Sequence, residues 1–494
     1  VSSDTDPSNV RRQRAINKWL ATERQNEATN DRLLNTREDF QILPRVEFVD
    51  FLSFFQGVIE ATIGSTVPEE ALIGAFSGGA STSRSRTSSH PAKKYLGKAH
   101  VTQECSNWLD TLRDEVPGWS SFWPDGLEFE VVPGNVLFTV PKKTDIDRCA
   151  CKEPDVNMFL QKGAGRVIRK ALLRKGINLN DQSINRDLAR AGSIDGKLAT
   201  MDLSSASDSV SSVFVQLALP PLWFSFLNQI RCPVTVIDNE EHVNEMFSSM
   251  GNGFTFELES LLFWALARTV AYFTGTRGVI SVYGDDLIFP STMFQDLEYV
   301  LSYMGFSVNT DKSFWTGGFR ESCGGHYVDG RDITPFYVKE PIERVSDLIK
   351  FANALRRWSV VADDFGILDP DTYELWLWCK ERVPRRFWGG HDTSSRFQLV
   401  SNDVPRSVLH PVTGKTRAGA GGYIHWLNAT TFRDSLTECL VGKYFHEVPG
   451  EGVETSRIQS VVDASFMEAR RLRTTVNLDI PLYPAETGSA VAPS

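Results

Sequence analysis

Ile280-Ser281-Val282-Tyr283-Gly284-Asp285-Asp286-Leu287-Ile288-Phe289 is the stretch that decides the fold of this chain. Two apolar runs flank a Gly-Asp-Asp turn, the pattern of a tight hairpin between two strands. Such a tip holds adjacent carboxylates at a fixed place, and hard divalent cations take oxygen donors of that kind. Asp and Gly also favour hairpin turns that have no function, so the turn needs a second acidic element before it carries chemistry.

Leu198-Ala199-Thr200-Met201-Asp202-Leu203-Ser204-Ser205-Ala206-Ser207-Asp208 supplies that element. It reads as a strand whose end carries Asp202, followed by a helix that Ser207 or Asp208 would cap. Phosphoryl transfer with two metal ions about 3.5–4 Å apart requires carboxylates brought together from separate strands. Asp202 with Asp285 and Asp286 meets that requirement. Between the acidic elements, Met250-Gly251-Asn252-Gly253 predicts a tight turn with close backbone approach, and a helix is expected from about Thr255.

Upstream, Asn135-Val136-Leu137-Phe138-Thr139-Val140 predicts a strand ended by Pro141, leading into a block from Lys142 to Lys175 with ten basic and four acidic residues. In its second half, Val167, Ile168, Ala171 and Leu172 alternate at helical spacing with Arg166, Arg169, Lys170 and Arg174. One basic helix face follows, suited to an RNA backbone, a membrane surface or plain solvation. Ser77 to Ser89 is Ser/Gly-rich with Arg84 and Arg86, and reads as a mobile loop or finger tip presenting arginine to phosphate, or as a linker. The first 70 residues are helical in flavour. After Thr334 the chain becomes helical and Trp-rich (Trp358, Trp376, Trp378, Trp388), with these rings expected in the core more than stacked on bases. A Gly-rich run at Gly419–Gly422 and a mobile tail from about Val476 follow.

The chain has 494 residues, 41% of them hydrophobic, which excludes a disordered or collagen-like protein and is long enough for several domains. Its formal net charge of −10 argues against a generic basic nucleic-acid binder. That figure is an average, because residues 71–103 carry five basic side chains and no acid, and the Lys142–Lys175 block is strongly basic. Seven thinly spread cysteines read as reduced thiols. Cys323-Gly324-Gly325-His326 has the spacing of half a zinc site without a second half, and is expected to be a structural turn. The most apolar window, Leu261 to Phe273, is too short to span a bilayer, so no membrane role is expected. The first residue is Val1 rather than Met, as in a processed or partial N-terminus.

In order along the chain stand the basic block, the Asp202/Asp208 segment, the Gly-rich loop and helix, Tyr-Gly-Asp-Asp, and Lys312 in Asn309-Thr310-Asp311-Lys312-Ser313-Phe314. This order resembles the palm motifs of viral RNA-dependent RNA polymerases. Phe254-Thr255-Phe256-Glu257-Leu258-Glu259-Ser260, Phe319-Arg320-Glu321-Ser322-Cys323-Gly324 and Asn180-Asp181-Gln182-Ser183-Ile184-Asn185 are similar to the replicase catalytic subunit of single-stranded RNA bacteriophages, the leviviruses. The resemblance is dense from about Val140 to Tyr337.

The resemblance implies an α+β right-hand polymerase of fingers, palm and thumb, with an antiparallel palm sheet backed by helices. Its parts would be an N-terminal region with part of the fingers (1–140), a basic fingers segment (141–197), the palm (198–320), a thumb and C-terminal helical region (321–475) and a mobile tail (476–494). Asp202, Asp285 and Asp286 match the Mg²⁺-binding aspartates, for two ions with Mn²⁺ as a substitute. Asp208, Ser249 and Asn252 fall where the family handles the ribose, and Lys142, Arg148 and Lys152 lie in the motif that neutralises the triphosphate. Lys312 sits where polymerases place a general acid, and Arg166, Arg169 and Lys170 would contact RNA. Glu259 departs from the broad polymerase pattern, which has Asn there, but agrees with the phage family. The implied partners are template and nascent RNA, ribonucleoside triphosphates, host elongation factors Tu and Ts, a host ribosomal protein and a host RNA-binding factor, in the cytoplasm of the infected bacterium. A reverse transcriptase, or a non-catalytic RNA-binding or assembly protein, is the alternative.

Overall fold

A stripe of buried side chains at helical spacing, from Ala15, Ile16 and Trp19 to Asn26, Asn30 and Leu33, runs along helix α1 (Ser8–Leu34), and a Phe-rich stripe runs along α2 (Phe48–Ile63). The computed structural model describes residues 6–89, 91–95, 98–116, 128–338, 341–359, 369–388, 398–401, 408–409 and 416–417. The chain divides into two compact units between Asp332 and Ile333.

In the first unit, strands β1 (Asn135–Pro141) and β2 (Asp147–Lys152) are followed by helices α3 (Asp155–Arg174) and α4 (Ser183–Asp195). Next come β3 (Leu198–Met201), β4 (Val234–Ile237), β5 (Glu240–Val243) and helix α5 (Thr255–Phe273). The unit continues through β6 (Ser281–Tyr283), β7 (Asp286–Pro290), β8 (Phe319–Ser322) and β9 (Gly325–Val328).

Two sheets position the site. The first has the order β5-β4-β1-β2, with β1 antiparallel to β2 from Val136↔Lys152 to Pro141↔Asp147 and parallel to β4. Ala15, Ile16 and Trp19 of α1 pack on Leu137, Cys149 and Cys151 of that hairpin. The second sheet, β6-β7-β3, is antiparallel throughout, as expected, in the register Tyr283↔Asp286 and Leu287↔Met201. Helix α5 is apolar on nearly every face and correspondingly buried on all sides, and the Ser260 hydroxyl accepts the Gly284 N–H at 3.0 Å. From the other helix, Asn185 of α4 accepts the Ser281 hydroxyl at 2.6 Å and donates to the Asp286 carbonyl at 3.2 Å.

The second unit contains α6 (Val345–Trp358) and α7 (Pro370–Arg382), packed through Leu348, Ile349, Ala352, Leu355, Trp376 and Cys379. Trp376 is core, as its spacing predicts, whereas Trp358 and Trp378 are exposed. The expected boundary at 320/321 falls inside β8, and the first unit continues to Asp332. Gly419–Gly422, Cys439 and the tail from Val476 lie outside the described residues.

Two local expectations are corrected. The Ser77–Ser89 run is fixed to the protein rather than loose: Ser81 donates to the Asp155 carboxylate at 2.7 Å, Ser89 to the Gly78 carbonyl at 2.7 Å, and the buried Lys94 ammonium binds the carbonyls of Ser77 and Gly79. Small hydroxyl side chains leave no apolar pattern, yet satisfy backbone groups locally. Neither Ser207 nor Asp208 caps a helix, because a 3₁₀ turn spans Ser207–Ser209 and the next helix starts at Ser212. No helix among the described residues is long and apolar enough to cross a membrane.

Candidate active site

Asp202 follows directly on β3, and Asp285 occupies the tip of the β6–β7 hairpin that pairs with it. Gly284, at φ 62°, makes that tip possible: a Cβ there would lie 2.7 Å from the Phe256 ring of α5. Asp202 and Asp285 line one cavity of about 380 Å³. Asn309 orients Asp202, donating from Nδ2 to Oδ2 at 2.7 Å and from its main-chain N–H to the Asp202 carbonyl at 2.9 Å.

Asp286 does not line this cavity. Its Oδ1 accepts the Cys323 N–H at 3.2 Å and the Ser322 hydroxyl at 3.3 Å, so the turn between β8 and β9 holds it. Burial raises the pKa of all three carboxyls above the ordinary aspartate value, and mutual repulsion adds to it for Asp202 and Asp286. Asp286 reaches about 6. Asp208 also lines the cavity and is pushed up to about 6 by burial first and by Glu23 second.

Facing these acids are Lys142, Lys143 and Arg148 from the β1–β2 hairpin, Lys312 from the segment after Asn309, and Lys18 from α1. Burial lowers the Lys142 pKa, and repulsion from Arg148, Lys18 and Lys143 lowers it further. Burial alone would lower Lys312 too, but the Glu321 carboxylate, 3.6 Å from its ammonium, and Asp202 outweigh that and raise it. Lys152 shares the Arg148 face of β2 but lies outside the cavity, its ammonium 5.6 Å above the Phe138 ring.

The Gly-rich loop reaches the cavity only through Met250. Ser249 and Asn252 are buried behind it, where the Ser249 hydroxyl accepts from Asn135 at 3.1 Å and Asn252 Oδ1 accepts the Phe254 N–H at 2.9 Å. Gly251, at φ 119°, lies so close to β2 that a Cβ would overlap the Cys151 carbonyl oxygen. Nor does the basic face of α3 reach the site. Arg166 donates to the carbonyls of Glu70 and Ile73, Arg169 forms a 2.6 Å ion pair with Glu257, and Lys170 binds Glu70 at 2.9 Å. Spacing showed a basic helix but not that acceptors from distant segments bind its cations.

Among the described residues, no three His, Cys, Asp or Glu side chains converge to hold an ion by themselves. Mg²⁺ does not require this, since it keeps several waters and binds through one or two carboxylates plus substrate phosphates. Two aspartates in a polar cavity fit that donor set. The residues that sequence reasoning missed are Lys18, one of many cations on a polar helix with no motif to mark it, and Asn309, which lies inside the quoted Lys312 segment.

The family model for RNA replicase, beta-chain, matches residues 1–444. The RNA-directed RNA polymerase beta chain of Escherichia phage MS2 is 41% identical over 97% of this chain and 88% of its own length. That of Enterobacteria phage GA is 43% identical over 72% of this chain and 68% of its own, and that of Enterobacteria phage fr is 39% identical over 85% and 76%. This chain belongs to the RNA replicase beta-chain family, the RNA-directed RNA polymerases of RNA phages.

Proposed function

We propose that the chain replicates a single-stranded RNA phage genome by template-directed nucleotidyl transfer from ribonucleoside triphosphates, releasing pyrophosphate. The observation that carries this reading is the sharing of one cavity by Asp202 and Asp285, from separate strands, with Lys142 and Arg148. Lys142, Lys143 and Arg148 bind and orient the triphosphate as point charges, without reading sequence. Asp208 accepts from the ribose hydroxyl that distinguishes RNA from DNA precursors. Ser249 and Asn252 act one step back, by fixing the loop that presents Met250. Lys312 holds a proton at Nζ for the departing pyrophosphate, and Glu321 keeps it charged.

Two Mg²⁺ ions, or Mn²⁺ in their place, held by Asp202 and Asp285 with Asp286 behind them, would supply Lewis-acid charge at the attacking hydroxyl and the phosphates. In this reading residues 198–320 are the palm of a right hand, with fingers before and a thumb after. Template RNA and nucleotides are the partners that act at the site. Host elongation factors Tu and Ts, a ribosomal protein and an RNA-binding factor in the bacterial cytoplasm complete the proposal.

The test is incorporation of labelled ribonucleotides on a single-stranded RNA template, with and without Mg²⁺, for wild type and Asp285→Asn. The expected result is RNA synthesis by wild type alone, only with the metal, while the mutant still binds RNA. Equal synthesis by both proteins would overturn the reading.

A further inference from the structure

Helix α1 lies more than a hundred residues before the basic block, yet one of its faces, Ala15, Lys18, Trp19 and Thr22, forms part of the cavity wall. The helix is locked on both sides of that face. Below it, Arg11 Nε binds the Asp147 carboxylate at 2.9 Å in a largely buried pair. Above it, the buried Glu23 carboxylate accepts the main-chain N–H groups of Glu245 and Met246 at 2.8 and 3.0 Å, and Asn26 donates to the Asp208 carbonyl at 2.7 Å.

Neighbouring cations of α1 are ion-paired: Arg11 with Asp147, Arg12 with Asp238 and Arg14 with Asp6. Lys18, on the cavity side, has no ion-pair partner among the described residues, and it exerts a field on Asp208, Lys142 and the space between them. A fixed helix that adds an ammonium without an ion pair to a wall already holding Lys142, Lys143 and Arg148 beside the aspartates calls for a compact polyanion at that point. A nucleic-acid backbone spreads its charges along a track, whereas this cluster converges within one cavity of about 380 Å³.

We propose that Lys18 is a nucleotide-binding residue that contacts the triphosphate of the incoming ribonucleotide, and that α1 is thereby part of the substrate site. The proposal rests on the polymerase reading above and extends its triphosphate site to the N-terminal helix. A flexible four-carbon stem suits such a contact, since it can follow the phosphates as they move from binding to reaction.

Steady-state nucleotide titrations on the full chain, with Lys18→Ala, Lys18→Arg, Lys18→Glu and a control, Arg24→Ala, test it. Arg24 is exposed on the same helix but lies outside the cavity wall. The expected result for Lys18→Ala is a five- to tenfold rise in nucleotide KM at nearly constant kcat and unchanged Tm, with a larger rise for Lys18→Glu, recovery in Lys18→Arg and no change in Arg24→Ala. Equilibrium binding should show the same loss for a non-hydrolysable triphosphate, but little for the corresponding monophosphate. An unchanged KM in Lys18→Ala, an equal rise in Arg24→Ala, or a loss confined to template RNA affinity would each overturn it. If wild type itself neither binds nucleotide nor makes RNA, the polymerase reading fails instead, so the two failures are distinguishable.

Discussion

Asn26 donates from Nδ2 to the main-chain carbonyl of Asp208 at 2.7 Å, joining residues 182 positions apart and tying the N-terminal helix to the wall of the cavity that Asp202 and Asp285 line. The same amide holds the Glu23 carboxylate at 3.0 Å, so one side chain sets both the helix and the turn. Asn26→Ala is expected to cost about 1–2 kcal/mol, because the loss of the donor leaves the partly buried Asp208 carbonyl unpaired, while Glu23 keeps the N–H groups of Glu245 and Met246. It should also raise nucleotide KM as the Asp208 turn loosens. Calorimetry and nucleotide titration check both effects, and an unchanged Tm with an unchanged KM would show that the bond holds nothing.

Gly251 offers a second test of pre-organisation. Its main chain packs against β2, with the Cys151 N–H donating to the Met250 carbonyl at 2.7 Å, and no Cβ fits between them. Gly251→Ala should lower kcat at least tenfold and destabilise the fold by roughly 1–3 kcal/mol. Gly176→Ala is the control, since that glycine also has a positive φ but open space, with no atom within 4 Å, where a Cβ would stand. It should unfold more easily than wild type yet keep its rate. Similar kinetics in both variants would mean that the loop position is not critical.

The ion pair of Arg169 with Glu257 separates a structural role from an RNA-binding one. Glu257 is nearly buried, and Arg169 also donates to the Leu179 carbonyl and to Asn180. Removing the cation leaves that carboxylate without its partner, so Arg169→Ala should cost about 3 kcal/mol while RNA affinity of the folded protein changes less than twofold. A large fall in RNA affinity at unchanged Tm would restore the contact that the basic helix face suggested.

These cases show which parts of the site a sequence can disclose. The Gly-Asp-Asp hairpin and Asp202 were legible because strand alternation and turn chemistry act over a few residues. The helix from Thr255 was legible because a long, mostly apolar run follows a Gly-rich turn. Contacts such as Asn309 on Asp202, Lys18 in the cavity or Glu70 on Lys170 depend on segments meeting in space, and the local pattern holds no trace of them. The outward turn of Asp286 belongs to the same class, since it depends on Ser322 and Cys323 of another hairpin. Ser77–Ser89 misled for a related reason: composition records the absence of apolar residues, not the acceptors that Asp155 and the neighbouring carbonyls provide.

Glu259 makes the site's stability depend on pH. Its carboxyl is buried beneath the Gly-Asp-Asp turn, accepts the Ser207 hydroxyl at 2.7 Å, and is pushed up to about 8 by burial first and by repulsion from Asp285 and Asp208. A carboxyl whose folded pKa lies above its unfolded value of 4.5 binds its proton more tightly in the native state. Its contribution is therefore complete below pH 4.5 and is lost as the pH rises toward 8. Between pH 4.5 and neutrality the loss is on the order of 3 kcal/mol. Glu259→Gln keeps the shape and the Ser207 hydrogen bond but cannot ionise, so in metal-free buffer it should melt above wild type at pH 7–8 and almost with it at pH 4.5. Parallel Tm–pH curves for the two proteins would mean that Glu259 is already ionised in the native state, because only a carboxyl that is neutral when folded and charged when unfolded can produce the divergence.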